Sequence, residues 1–389
     1  MKDIQNICTS IEVNDQKMSN PVAPIIVQTS SFRFENYQHY LDVNCGKEEM
    51  YSYTRDGNPT TAILEEKIAA LEGGEKARAF ASGMGAISAT IFSLLKQGDH
   101  VIVVNTVYTS SVKVIQSLKK FGIESSVIHV NETQEIFDYV NEQTKMIYFE
   151  SPSSQKFEML DLKQISNFAR KRNIYTVIDN TWSTPLFQNP LNHGIDVVIH
   201  SCSKYIGGHS DIVGGIVVAN KVIVKTIDEY GAVLLGASLS PHDAWLAIRG
   251  LRTLPIRMKS QQETIIKVLD CLKNDSRIKK IYHPYIQQKE LASTYLNGYS
   301  SLFGMVLDNA TPQIIERFVN HLHVLSLAYS WGGFESLILP AFKGNNEEEM
   351  KKRGLDLGHF RVYLGLEDSN LLINDILSAL DYAYEGEEI

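Results

Sequence analysis

Lys204 stands in Ser201-Cys202-Ser203-Lys204-Tyr205-Ile206-Gly207-Gly208-His209-Ser210-Asp211, directly after the apolar run Val197-Val198-Ile199. A lysine at the end of a buried strand, with small hydroxyl residues before it and glycines after it, suits an amine that forms a Schiff base. Burial disfavours the ammonium and makes the neutral nucleophile available near neutral pH. Ser201 and Ser203 can donate to a phosphate, and the glycines let backbone pass close to a flat ligand. The alternative is a lysine that snorkels out of a strand end.

Other residues carry matching chemistry. Ser82-Gly83-Met84-Gly85 opens the helical stretch Ala86 to Leu95, and a helix N-terminus offers free amides and a positive dipole end to a phosphate. It fails as a dinucleotide fingerprint because Ser88 stands where the third glycine belongs. A capped helix with a tight turn is the plainer reading. Asp179 ends the run Tyr175-Thr176-Val177-Ile178 and could hold a protonated ring nitrogen, keeping that ring an electron sink. It could equally be a strand-end cap. Tyr108 could stack on a planar ring or serve as a core aromatic. Arg55, in Tyr51-Ser52-Tyr53-Thr54-Arg55-Asp56-Gly57-Asn58-Pro59, is a bidentate phosphate ligand by chemistry and a solvated arginine by default. Arg361 interrupts Phe360-Arg361-Val362-Tyr363-Leu364. A guanidinium there needs an anion, either a substrate carboxylate or an internal salt bridge.

These residues need elements to place them. Residues 1–57 read as an extended arm without a sustained helical period. Asn58-Pro59 starts a helix whose apolar positions Ile63, Leu64, Ile68 and Leu71 run to a stop at Gly73-Gly74. Short apolar runs then alternate with helical stretches such as Leu162 to Lys171. The strands are His100–Val104, Met146–Phe149, Tyr175–Ile178, Val197–Ile199 and Gly215–Val218. Strands buried on both faces and alternating with helices predict a mostly parallel sheet in a three-layer α/β domain spanning 58–250. In open sheets of that kind ligands sit at the carboxyl ends of strands, where Tyr108, Asp179 and Lys204 fall. From 251 to 389 the strict alternation stops. A helix from Ile256 to Leu272, strands at Leu302–Leu307, Val324–Tyr329 and Phe360–Leu364, and a closing helix from Leu371 predict a smaller α+β domain.

Composition narrows the class. The chain of 389 residues has 44% hydrophobic and 21% charged residues and a formal charge of −8, ordinary for a globular protein and without a basic stripe for nucleic acid. Cys8, Cys45, Cys202 and Cys271 lie far apart, which argues against a disulfide framework or structural zinc. No apolar run approaches the roughly 20 residues of a membrane span. Met1-Lys2-Asp3-Ile4-Gln5-Asn6 lacks the apolar core of a signal peptide, so a cytoplasmic protein is expected.

Taken together, the motifs resemble the cysteine and methionine metabolism family of pyridoxal-phosphate enzymes, which share the aspartate-aminotransferase type of fold. The likeness runs from Pro24-Ile25-Ile26-Val27-Gln28-Thr29-Ser30 to Gly365-Leu366-Glu367-Asp368 and includes Arg249-Gly250-Leu251-Arg252-Thr253-Leu254, a segment expected to serve packing. The resemblance implies that Lys204 carries the cofactor as a Schiff base, Asp179 holds its pyridine nitrogen and Tyr108 stacks on its ring. Gly83, Met84, Ser201 and Ser203 would bind its phosphate. Tyr53 and Arg55 would reach that phosphate from a neighbouring subunit, implying a homodimer and, in this family, usually a tetramer of two dimers. Lys204, Tyr108 and Tyr53 would be the catalytic residues. Ser330 and Arg361 would hold the substrate carboxylate, with Ser154, Tyr329 and Trp331 beside it.

The reaction branch is less uniform. Ala328-Tyr329-Ser330-Trp331-Gly332-Gly333 has tyrosine where members acting at Cγ on cystathionine often carry glutamate, and it looks like the bacterial cystathionine β-lyases. Ser154 in Glu150-Ser151-Pro152-Ser153-Ser154-Gln155, at the place of a usual asparagine, points the same way. Ser110 replaces the cysteine characteristic of methionine γ-lyases. Against this, Ser240-Pro241-His242-Asp243-Ala244-Trp245 looks like the γ-lyase and γ-synthase members, and Val233 stands where some β-lyases put tyrosine. The expectation is β-elimination from cystathionine or a related cysteine conjugate. The alternatives are γ-elimination, γ-replacement, or a cofactor-binding regulatory protein with little turnover.

Overall fold

The computed structural model describes residues 4–11 and 21–386. Its larger sheet has seven strands: β1 (Lys76–Phe80), β2 (His100–Val104), β3 (Glu124–Ile128), β4 (Thr144–Glu150), β5 (Tyr175–Asp179), β6 (Val197–Ser201) and β7 (Gly215–Ala219). They lie in the order β1-β7-β6-β5-β4-β2-β3, with β7 antiparallel to both its neighbours and the other pairs parallel. The side-chain period of two divides this sheet cleanly. Val101, Val103, Tyr148, Val177 and Val197 pack with Ile87 and Ile91 on one face. Ile102, Val104, Phe149, Ile178 and Val198 pack with Leu64, Ile68 and Ile165 on the other. Continuous apolar runs are thus what a sheet covered on both sides requires.

The covering helices include α3 (Pro59–Glu72), α4 (Gly83–Leu94), α5 (Thr109–Ser117) and α6 (Leu162–Arg170). α3 is bounded as its sequence dictates: the Asn58 side chain accepts from Thr60 N–H, Pro59 starts the first turn, and Gly73 closes it at φ 73°. The segment before Asn58 departs from the expected extended arm, because it contains α1 (Ile4–Thr9) and α2 (Tyr37–Asn44). α1 is short, and Cys8 with its partly buried neighbours Ile4 and Ile7 seats it on the core. α2 depends on Asn36, whose side chain accepts from His39 N–H at 3.0 Å.

The smaller sheet has β8 (Ile278–Tyr282), β9 (Leu302–Leu307), β10 (Ser326–Leu327), β11 (Leu337–Pro340) and β12 (His359–Tyr363), ordered β10-β11-β12-β9-β8. The strand expected over Val324–Tyr329 shrinks to the two residues of β10, both exposed, and the chain beyond turns into the site. On β12 the alternation separates two faces. Phe360 and Val362 pack on the helices Leu254–Leu272 and Ser369–Ala383, while Arg361 and Tyr363 project to the opposite face, where Tyr363 joins the main core.

Candidate active site

Lys204 follows β6 in a tight turn. Lys204 N–H donates to Ser201 C=O at 3.2 Å, Gly207 N–H to Cys202 C=O at 2.8 Å, and Gly208 N–H to Lys204 C=O at 2.8 Å. The helix Pro241–Leu251 presses on this turn at Gly250, where any Cβ would overlap the carbonyl oxygens of Ile206 and Gly207. Arg257 Nη2 donates to Tyr205 C=O at 2.8 Å and to Gly250 C=O at 3.0 Å, clamping turn and helix together. The Arg249–Leu254 segment therefore packs the lysine turn. The Lys204 amine donates to Ser330 Oγ at 2.5 Å and lies 5.5 Å from the Trp331 ring centre. Burial, with the Arg361 charge adding to it and Asp179 opposing, lowers its pKa to about 8.

Asp179 and Glu150 end adjacent parallel strands and are paired in register, which puts both carboxylates on one face. Asp179 Oδ1 accepts from Thr181 N–H at 3.0 Å and Thr181 Oγ1 at 2.5 Å. Burial nonetheless holds its pKa above the usual range, against those bonds and the charges of His200 and Lys204. Glu150 is pushed up to about 8 by burial and then by the Asp179 charge. Its two oxygens accept from Tyr108 N–H at 2.7 Å and from Ser154 Oγ at 2.5 Å. Tyr108, at the N-cap of α5, keeps 47% of its surface exposed, so a ring face is open to a ligand.

The α4 N-terminus stands beside this group. Ser82 Oγ caps it by accepting from Gly85 N–H at 2.9 Å. The Gly83 and Met84 amides take no partner among the described residues, as the first turn of a helix leaves them. A Cβ on Gly83 would sit 3.1 Å from Ser201 Cβ and 3.2 Å from its Oγ, so the Ser201 hydroxyl and the free amides share one spot. Ser203 Oγ is used in the turn itself, where it accepts from Gly214 N–H at 3.1 Å.

Arg361 lies among these groups. Its guanidinium makes no ion pair or hydrogen bond among the described residues, while Glu150 and Tyr108 act on it electrostatically. Ser330 takes φ 88°, an uncommon value outside glycine, and Gly332 takes 91°. A Cβ at Gly332 would stand 2.7 Å from Lys204 C and Tyr205 N, so this loop rests directly on the lysine backbone. Trp331 meets Tyr205 edge-on at 5.4 Å, and Tyr329 is 73% exposed. Tyr53 and Arg55 stand apart. They line an open cleft of about 430 Å³ with Ser238, Leu239, Ser240 and Pro241, and Arg55 lies 5.1 Å over the Tyr53 ring.

The structure thus brings together Lys204, Ser330, Trp331, Asp179, Tyr108, Ser154 and Arg361, with Gly83, Met84 and Ser201 at one end and Tyr53 and Arg55 outside. Glu150, Thr181 and Arg257 were not among the predicted site residues. Glu150 could have been found by the criterion that marked Asp179, since it ends the apolar run Met146–Phe149. The donor set fits pyridoxal phosphate. Unpartnered amides and a hydroxyl suit its phosphate, a buried carboxylate suits its ring nitrogen, an open aromatic face suits its ring, and a lysine amine suits its aldehyde.

Comparison with known proteins agrees with this fit. The family described as Cys/Met metabolism PLP-dependent enzyme matches residues 7–381. An L-methionine gamma-lyase from Fusobacterium nucleatum subsp. polymorphum is 35% identical over 366 residues, covering 92% of each chain. A cystathionine beta-lyase from Lactococcus lactis subsp. cremoris is 34% identical over 377 residues, covering 95% of this chain and 96% of the relative. The crystal structure of cystathionine gamma synthase from Xanthomonas oryzae pv. oryzae superposes with a TM-score of 0.92 at 30% identity, covering 99% of each chain. The chain belongs to the Cys/Met metabolism PLP-dependent enzymes, has their fold type I architecture, and takes pyridoxal phosphate as its cofactor.

Proposed function

We propose that this enzyme is a carbon–sulfur lyase performing β-elimination on L-cystathionine or a related cysteine S-conjugate, with release of a thiol, pyruvate and ammonia. Bound pyridoxal phosphate supplies an aldehyde for the substrate amine and a ring that accepts the electrons of a broken Cα–H bond. The residues do the rest. Arg361 and Ser330 bind the α-carboxylate, orienting the Cα–H bond. The Lys204 amine, held by the Ser330 hydroxyl and neutral above about pH 8, accepts the Cα proton. Asp179 keeps a proton at the ring nitrogen, and Tyr108 covers the ring face. Gly83, Met84, Ser201 and Ser203 hold the phosphate, with Tyr53 and Arg55 arriving from a neighbouring subunit of a homodimer or tetramer. In this reading the chain divides near residue 250 into a cofactor-binding unit and a smaller unit carrying the carboxylate site.

The observation that carries the β assignment is the surroundings of the Lys204 amine. The carboxylates acting on the site, Asp179 and Glu150, are both tied down at the cofactor end. Glu335, the first carboxylate after Ser330, accepts from Ser210 Oγ at 2.5 Å. Tyr329, 73% exposed, stands where members acting at Cγ on cystathionine often carry a glutamate that can pair with the distal ammonium. The contrary resemblance, Ser240 to Trp245, has local work here. Ser240 Oγ accepts from Asp243 N–H at 3.0 Å, and Trp245 Nε1 donates to Pro24 C=O at 2.9 Å. Identifying the keto acid released from cystathionine tests the proposal. Pyruvate is expected. Formation of 2-oxobutyrate with cysteine would establish γ-elimination, which the similarity to a methionine gamma-lyase favours.

A further inference from the structure

Arg78 lies inside the edge strand β1, only 7% exposed, with apolar Ala77, Ala79 and Phe80 beside it. A buried guanidinium is costly unless charges and acceptors surround it, and here three segments supply them. Nη2 donates to the Arg55 carbonyl at 2.8 Å. Nη1 lies 3.8 Å from Glu65 of α3, and Nε lies 2.9 Å from Asp228 Oδ1 of the π-helix Ile227–Val233, close but without the angle for a hydrogen bond. Glu65 is anchored in turn, accepting from Ala79 N–H at 2.8 Å. Lys76, Asp56 and Glu229 also act on this group.

Thr54 N–H donates to Ser30 C=O at 3.0 Å and Asp56 N–H to Tyr53 C=O at 2.9 Å, so the segment is held on both sides of Arg55, while the Arg55 carbonyl itself is taken by Arg78. Among the described residues the Arg55 side chain reaches Asp56, at 3.3 Å, and the Tyr53 ring, with Arg55 and Tyr53 lining the open cleft. The guanidinium of Arg78 thus fixes the backbone from which the Arg55 side chain projects outward. The π-helix it also holds packs on α4, since a Cβ at Gly231 would come within 2.8 Å of Ala89 Cα.

We propose that Arg78 is a positioning residue for cofactor binding: it holds Arg55 so that its side chain can meet the phosphate bound in a neighbouring subunit. This rests on the reading that Arg55 serves that phosphate. The experiment compares release of pyridoxal phosphate from wild-type, Arg55→Ala, Arg78→Leu and doubly substituted holoenzymes, following loss of the visible cofactor band in cofactor-free buffer. Arg55→Ala and Arg78→Leu should each speed release by about tenfold, the scale of one charge-assisted contact. The double variant should be no faster than Arg55→Ala alone, because Arg78 acts through Arg55. Arg78→Lys, which keeps the charge but cannot span three partners, should fall between wild type and Arg78→Leu. Unchanged release from Arg55→Ala defeats the reading of Arg55. Faster release from Arg55→Ala with wild-type release from Arg78→Leu, or additive effects, overturns the role of Arg78 alone. If Arg78→Leu does not fold, Arg78→Lys combined with Arg55→Ala carries the same additivity comparison.

Discussion

Lys204 is set up by three neighbours with different tasks: burial and Arg361 favour its neutral form, Asp179 opposes them, and Ser330 aims it. A depressed lysine pKa means that the nucleophilic amine accumulates as pH rises through about 8 rather than through the ordinary 10.5. Cofactor-stripped protein is therefore expected to recapture pyridoxal phosphate at a rate that climbs between about pH 7 and 9 and then levels. A stopped-flow series following the visible band checks this, and a climb continuing to pH 10 would refute it. Arg361 makes no ion pair among the described residues, so in the proposed reading Arg361→Ala removes the charge that meets the substrate carboxylate. A rise in KM of about tenfold or more is expected, with the cofactor band unchanged. Steady-state kinetics with cystathionine decide it, and an unaltered KM removes Arg361 from carboxylate binding. Asp179 and Arg361 were legible in sequence because each breaks an apolar strand pattern with a group that needs a partner, and Lys204 because it follows one directly. Thr181 and Arg257 were not, since a threonine in a turn and an arginine in a helix announce nothing until the fold shows what they touch.

The elements were legible where apolar runs were long and punctuated. β2, β6, β9 and α3 follow directly from their residues. β1 was missed because Lys76-Ala77-Arg78-Ala79-Phe80 hides a buried strand behind two basic residues, one of them met by the Arg55 carbonyl and the charges of Glu65 and Asp228. β3 was missed because Glu124-Ser125-Ser126-Val127-Ile128 at a sheet edge is buried only at its end. The helix Pro241–Leu251 shows why a glycine without a turn can matter. Gly250→Ala places a methyl group on the carbonyl oxygens of the lysine turn. A loss of about 1–3 kcal/mol of stability is expected, as for other overpacked sites, along with weaker cofactor retention. Denaturant unfolding and the visible band measure the two effects. Wild-type values for both would mean that the turn yields without cost.

At the scale of the whole molecule, one chain holds Lys204 and Arg361 together but leaves Tyr53 and Arg55 facing an open cleft. If active sites are shared between subunits, mixing Lys204→Ala and Arg55→Ala proteins under exchange at limiting cofactor should raise turnover above the sum of the two alone, toward about a quarter of wild type, through mixed dimers with one intact site. No recovery in verified hybrids would mean that each chain completes its own site. The contact between Gly332 and the Lys204 backbone has a consequence for how the protein is made. The lysine is synthesised long before the loop that seats on it. Until Ser330 and Arg361 emerge and fold down, the growing chain has an amine with neither the Ser330 hydroxyl nor the Arg361 charge beside it. Chains ending before Ser330 are therefore expected to keep a lysine whose pKa lies nearer the ordinary 10.5 and to bind pyridoxal phosphate more slowly near neutral pH, because part of the shift comes from Arg361.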